Sequence, residues 1–308
     1  MQKVHTLSVN VRELPMIQHL LFGESLTHSV APFKSQLLKW IGNKQRFAHE
    51  IASYFPTDYG TYYEPFVGSG AVLATVAPTR GIGSDSFKPL IEIWQTLHDS
   101  PGTLKRWYAE RWHSFKGGKK IDEFERIKAS YNARPNGADL LFLCRSCYGG
   151  VVRFRKNDGY CSTPCGVHDP ISPGSFNRRV DEWHQRTKGT KFIQSDYRQV
   201  MAETTAGDMV YCDPPYSYSQ AILYGAQSFS LTQLFDAISD CKARGVFVAL
   251  SIDGTKRTGK HVCELPVREG LFDREIFVNC GRSMLLRFQM AGETLENEVV
   301  HDRLLLTY

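Results

Sequence analysis

Four consecutive residues, Asp213-Pro214-Pro215-Tyr216, could act as one chemical unit. They follow the apolar run 209–212, which reads as a strand, so they stand at a strand's carboxyl end, where open α/β sheets bind ligands. Two successive prolines fix two φ angles and remove two amide donors. The Asp213 carboxylate and the Pro214 carbonyl are then rigid acceptors. Such acceptors suit an exocyclic amine of a nucleobase that must become a nucleophile. Hydrogen bonds from its N–H groups favour a more tetrahedral nitrogen and release the lone pair for in-line attack. Tyr216 offers a ring on which a base can stack. A bare Asp-Pro-Pro-Tyr also fits an ordinary turn after a strand, so its weight comes from what accompanies it.

Three further groups accompany it. Glu64-Pro65-Phe66-Val67-Gly68-Ser69-Gly70-Ala71-Val72 places two glycines one residue apart, which lets the backbone turn tightly and approach a ligand. No Gly-Lys-Ser/Thr follows, and position 73 is Leu73 rather than the third glycine of a dinucleotide fingerprint. A nucleoside without a pyrophosphate fits better. Asp85, 15 residues after Gly70 and at the end of the next strand, could accept hydrogen bonds from both ribose hydroxyls. It also fits a helix N-cap before Lys88. Upstream, Lys39-Trp40-Ile41-Gly42-Asn43-Lys44 sets a flat ring and a cation beside a turn, where they could face a ligand carrying a carboxylate; a plain helix start is the alternative.

In order and spacing these groups resemble the Dam-type (alpha-group, D12 class) N6-adenine-specific DNA methyltransferases, from about residue 33 to residue 308. The likeness extends to Cys147-Tyr148-Gly149-Gly150-Val151-Val152-Arg153-Phe154, Gly159-Tyr160 and Pro164-Cys165-Gly166, which look like that family's target-reading hairpin. The resemblance implies S-adenosylmethionine as methyl donor, S-adenosylhomocysteine as product, and duplex DNA as substrate, with the adenine flipped out of the stack. It implies that Trp40, Lys44, Phe66, Gly68, Gly70, Asp85, Asp196, Tyr197 and Asp213 contact the cofactor. Asp213, Pro214, Pro215 and Tyr216 would carry the chemistry, and Phe229 would help hold the base. Tyr148, Arg153, Arg155 and Pro164 would touch DNA. The chain departs from the family where Gly149 replaces an Asn and Cys161-Ser162 replace a Phe-Asn pair. Both departures lie in the reading element, so the family's target sequence is not carried over. A cognate restriction endonuclease acting on the same site is an expected companion.

Other readings of the same residues lead elsewhere. Cys144, Cys147, Cys161 and Cys165 have zinc-like spacing; the expectation is nevertheless no metal, since Cys147 matches a family cysteine that binds none. N4-cytosine methylation uses the same amino-group chemistry, but those enzymes usually carry Ser where this chain has Asp213. A catalytically inactive DNA-binding relative would have no need of Asp213, Tyr216 and Gly70.

The elements that must position these groups follow from period and punctuation. Strands are expected at 61–66, 80–84, 191–195, 209–212 and 245–251, and closing antiparallel strands at 276–279 and 303–308. Helices are expected within 33–54 beginning near Lys44, and at 71–76, 88–97, 121–132 and 232–243. The fold class is α/β, a Rossmann-like methyltransferase sheet with an inserted, mostly helical target-recognition domain and a β-hairpin at 151–161 turning at Asn157-Asp158-Gly159. The expected division is an N-terminal arm at 1–32, a catalytic domain at 33–100 and 190–308, and the recognition domain at 101–189. Residues 102–160 hold 13 basic and 6 acidic side chains against a whole-chain charge of +5, a local excess suited to phosphates. No apolar run reaches the roughly 20 residues that span a bilayer, and the first 20 residues hold no signal-peptide core. The expectation is a monomeric cytoplasmic protein of prokaryotic or phage origin, with reduced cysteines.

Overall fold

Tyr62 and Tyr63 are neighbours in sequence, yet each is buried in a different hydrophobic layer. Met209 and Tyr211 share the layer of Tyr62, and Val210 and Cys212 share that of Tyr63. Successive strand side chains point to opposite faces, so a strand apolar at every position needs cover on both sides, the mark of a buried parallel sheet.

The computed structural model describes residues 27–155, 157–215, 229–256, 261–262, 267–282 and 299–308. Its strands are β1 (Tyr62–Glu64), β2 (Gly81–Asp85), β3 (Thr190–Gln194), β4 (Met209–Cys212), β5 (Phe247–Lys256), β6 (His261–Val262), β7 (Arg274–Arg282) and β8 (Val299–Leu306). They form one sheet in the order β3-β2-β1-β4-β5-β8-β7, with the short β6 pairing along β5. From β3 to β5 all pairings are parallel; β8 runs antiparallel to both β5 and β7. The order turns back on itself between β1 and β4, which opens a crevice at their carboxyl ends.

Helices α1 (Ala48–Ser53), α2 (Ala71–Val76) and α3 (Lys88–Asp99) cover one face, and α8 (Tyr197–Ala202) and α9 (Leu231–Ala243) the other. Helix α3 starts with Pro89 in its first turn and buries Leu90, Ile91, Ile93, Trp94 and Leu97, one stripe at helical spacing. The segment between the halves of the sheet folds into α4 (Pro101–Gly117), α5 (Lys120–Ala133), α6 (Gly137–Ser146) and α7 (Pro173–Arg186). All ten residues of α6 are buried. Trp183 of α7 stacks on Trp94 of α3 with ring centroids 5.3 Å apart, and the hydrophobic cluster of the inserted segment is continuous with that under the sheet.

One expectation changes. The helical spacing at 33–54 is realised as a helix only in α1; Leu37 and Leu38 are buried from irregular chain. The carbonyls there are taken by distant side chains: Ser35 O accepts from Trp183 Nε1, and Gln36 O and Leu37 O accept from Arg145. Much of the positive charge of residues 102–160 is also paired. Lys105 bridges Asp181, and Lys116 and Lys120 share Asp169. Arg111, Arg126 and Lys128 meet Asp139, Glu123 and Glu125. Among the described residues, no helix is long and apolar enough to cross a membrane.

Candidate active site

Every loop leaving the carboxyl end of β1, β2, β3 and β4 opens on one cavity of about 310 Å³. Residues 64–69 line it after β1, Asp85 to Phe87 after β2, Ser195 to Tyr197 after β3, and Asp213 and Pro215 after β4. Trp40 and Lys44 close it from upstream, and Phe154 and Phe229 from the side.

The glycines shape the first loop. Gly68 and Gly70 adopt φ of 44° and 64°, the left-handed region that favours glycine. Gly70 caps α2 and is not among the cavity-lining residues. A Cβ there would stand 3.3 Å from the rings of Trp94 and Trp183. Gly68 lies at the wall, its carbonyl accepting from Trp94 Nε1 at 3.1 Å and its amide donating to Asp85 Oδ2 at 3.3 Å. Asp85 Oδ1 accepts from the Phe87 amide at 3.0 Å. Burial pushes the Asp85 carboxyl up to about 6 against these donors. Such a group is poised to accept further donors, because each one favours its charged form.

Aromatic rings build two walls. Phe66, Tyr197 and Phe229 form a trio with centroids 5.0, 5.9 and 6.0 Å apart. Across the cavity Trp40 meets Phe87 at 6.3 Å, and Phe87 meets Phe154 at 5.6 Å. Asp196 caps α8 and is held by Arg198, whose guanidinium keeps its carboxyl below the usual range. It lines the cavity from an exposed position, so only part of its acceptor capacity faces inward.

The charged end is buried. The turn at Gly42, with φ of 73°, brings Lys44 inward, where Nζ lies 2.9 Å from Asp213 Oδ1 and 3.0 Å from Asp302 Oδ2. Burial opposes the ammonium charge, but the two carboxylates outweigh it and hold Lys44 above the ordinary lysine range. Glu64 is buried beside them and accepts from the Tyr62 hydroxyl at 2.7 Å. Burial raises its carboxyl well above the usual range despite that bond, and the Asp213 charge adds to the effect. Pro214 is buried, Pro215 faces the cavity, and Tyr216 lies outside the described residues.

The hairpin expected at 151–161 pairs Phe154 with Cys161, and Cys147 with Cys165. Phe154 turns inward onto Phe87 and Tyr131, so Arg153 and Arg155, one residue either side, leave the opposite face. Tyr148 and Pro164 are exposed side by side, joined by the Tyr148 amide donating to the Pro164 carbonyl at 2.9 Å. Gly149 takes φ of 66°, a conformation open to Gly and Asn, which accounts for Gly where the resembling family carries Asn. Cys144, Cys147 and Cys161 are buried as free thiols in the hydrophobic cluster, and burial pushes Cys147 up to about 12. Among the described residues, no group of three or more His, Cys, Asp or Glu could hold a metal ion.

The cavity thus gathers Trp40, Lys44, Phe66, Gly68, Asp85, Asp196, Tyr197 and Asp213. Gly70 shapes it from behind, and Tyr148, Arg153, Arg155 and Pro164 stand on the hairpin outside it. Sequence reasoning missed Asp302, which reaches Lys44 from the last strand of the chain, and gave Glu64 no role. For Glu64 a signal existed: an acid next to two aromatics in an apolar strand. For Asp302 there was none, because its proximity depends on strand order.

A family model described as D12 class N6 adenine-specific DNA methyltransferase matches residues 40–261. The chain is 25% identical over 235 residues to the Type II methyltransferase M1.LlaDCHI of Lactococcus lactis subsp. cremoris, covering 69% of this chain and 79% of that protein. It is 28% identical over 207 residues to the DNA adenine methylase of Serratia marcescens, covering 63% and 73%. It is 25% identical over 240 residues to the DNA N-6-adenine-methyltransferase of Escherichia phage P1, covering 73% of this chain and 30% of that one.

Proposed function

The chain belongs to the D12 class of N6 adenine-specific DNA methyltransferases, and from that premise we propose how its residues divide the work. The observation that carries the reading is that Asp213 and the loop at 65–69 line the same cavity. S-adenosylmethionine is the donor this cavity fits. The Asp85 carboxyl would take the ribose hydroxyls, the rings of Phe66 and Tyr197 would hold the donor's adenine with Asp196 at its edge, and Trp40 would cover the opposite side. The cavity volume falls at the lower end of the ~300–1,000 Å³ range of small-molecule sites. Once bound, the donor supplies an electrophilic methyl group on a sulfonium.

The remaining work is the chain's own. A target adenine flipped from duplex DNA reaches the Asp213 turn. The Asp213 carboxylate and the Pro214 carbonyl accept its N6–H groups, and Tyr216 and Phe229 hold its ring. With the donor bound, the N6 lone pair would attack the methyl carbon, and the sulfur would leave with the electron pair of the broken bond. Asp213 is too weak a base to ionise N6 first, so the proton leaves after transfer. Lys44 keeps Asp213 oriented through their ion pair. Tyr148, Arg153, Arg155 and Pro164 act on DNA from the hairpin, in a recognition domain at 101–189, with Arg153 reading a guanine in the major groove.

Asp213→Ala tests this division. Transfer of labelled methyl to duplex DNA should fall by about a thousandfold or more. Donor affinity measured by calorimetry should stay within about tenfold, since only one acceptor is removed. Activity within tenfold of the parent enzyme sinks the assignment. We further propose that the enzyme acts as a monomer in the bacterial or phage-infected cytoplasm. The kinship to a Type II methyltransferase supports a companion endonuclease; protection of the methylated site from such a nuclease is the check.

A further inference from the structure

Asp302 sits on β8, held between β5 and β7, and reaches Lys44 from there. Its carboxylate lies 3.0 Å from Lys44 Nζ, on the same ammonium that meets Asp213 at 2.9 Å. The three side chains are 11%, 6% and 21% exposed, so water screens their interaction little. Among the described residues, one ammonium therefore faces two carboxylates.

That arrangement matters for the acceptor. An ammonium committed to Asp213 alone would draw electron density from the carboxylate that the substrate amine needs, because charge-assisted hydrogen bonds are the strong ones. A second carboxylate divides the ammonium's pull. It also keeps negative charge next to a nitrogen that turns positive as the new bond forms, where a fixed charge in a dry site has most effect. We propose that Asp302 is a positioning residue for methyl transfer, holding Lys44 between two carboxylates so that Asp213 stays a strong acceptor for the target amine. The proposal rests on Asp213 acting as read above.

Asp302→Asn keeps the shape and replaces the second carboxylate beside Lys44 with a neutral amide. With turnover expressed per donor-binding site, kcat should drop by at least about tenfold, while KM for DNA and for donor moves less than about threefold. Asp302→Glu, which restores the charge, should return kcat to within about threefold of the parent. A role confined to folding would lower the melting temperature or the number of donor-binding sites and leave kcat per site unchanged. Asn-variant turnover within twofold of the parent overturns the proposal, as does a loss confined to KM. If the Asn variant does not fold, the Glu variant decides, and a folded Glu enzyme slowed tenfold or more counts against it. Asp213→Asn is run in parallel. An active Asp213→Asn enzyme means the catalytic reading itself has failed, whereas an inactive one beside a normal Asp302→Asn sinks only the present inference.

Discussion

Charge at this site is set residue by residue, and Asp85 gives the sharpest consequence. Its carboxyl is pushed up to about 6 by burial, above the ordinary value of about 3.9. The ionised form is therefore the strained one in the free protein, and folding itself gains nothing from it above pH 6. Ribose hydroxyls donate to that ionised form, so binding pulls the carboxyl back down. Donor affinity should be full above pH 6 and weaken as pH falls through it, by up to about tenfold per unit. Isothermal titration between about pH 5 and about pH 8 would show this slope. Asp85→Asn should bind more weakly overall and flatten the slope, and an unchanged slope would remove Asp85 from the ribose site. Glu64 makes the contrast. Burial raises its carboxyl well above the usual range, and the bond it accepts from Tyr62 opposes that rise.

At the scale of elements, the sequence carried whatever is local. The strand at Met209–Cys212 and the helix at Ala71–Val76 stand where their apolar runs place them, because a buried strand and a glycine-started helix are each written in consecutive residues. Helices α4, α6 and α7 were not legible. Helix α6 is buried on all sides, so its period carries no stripe, and Trp183 of α7 packs on Trp94, far away in the chain. Distant partners also limit the helix expected within 33–54 from near Lys44: only Ala48–Ser53 is helical, and tertiary hydrogen bonds take the carbonyls of Ser35 and Leu37 in irregular chain. Gly70 tests how firmly the loop is set. With φ of 64° and two tryptophan rings 3.3 Å from a Cβ, Gly70→Ala pays both backbone strain and overpacking. It should destabilise the protein by about 2–4 kcal/mol, seen as a lower melting temperature with reduced donor affinity. Gly159 also has a positive φ, 67°, but has nothing within 4 Å of a Cβ. Gly159→Asn should therefore cost less than about 1 kcal/mol.

Across the whole molecule, what could not be read in advance is the order of strands. Asp213 and Asp302 share Lys44 only because β8 is threaded back between β5 and β7. Within the basic excess of residues 102–160, Lys105, Lys116 and Lys120 are likewise paired with Asp181 and Asp169, later in the chain. Charge counts along a sequence do not know which acids fold back onto them.

Phe154 belongs to the hairpin yet forms part of the cavity wall, its ring 5.6 Å from Phe87. A shared ring of this kind ties two ligands into one thermodynamic cycle. Whatever factor DNA imposes on the grip for the methyl donor, the donor must impose on the grip for DNA, since both legs of the cycle reach the same ternary state. Phe154→Ala should bring that factor towards one, measured as donor affinity with and without a duplex, while leaving each binary affinity within about threefold. A factor that survives the substitution would mean the two ligands communicate by another route.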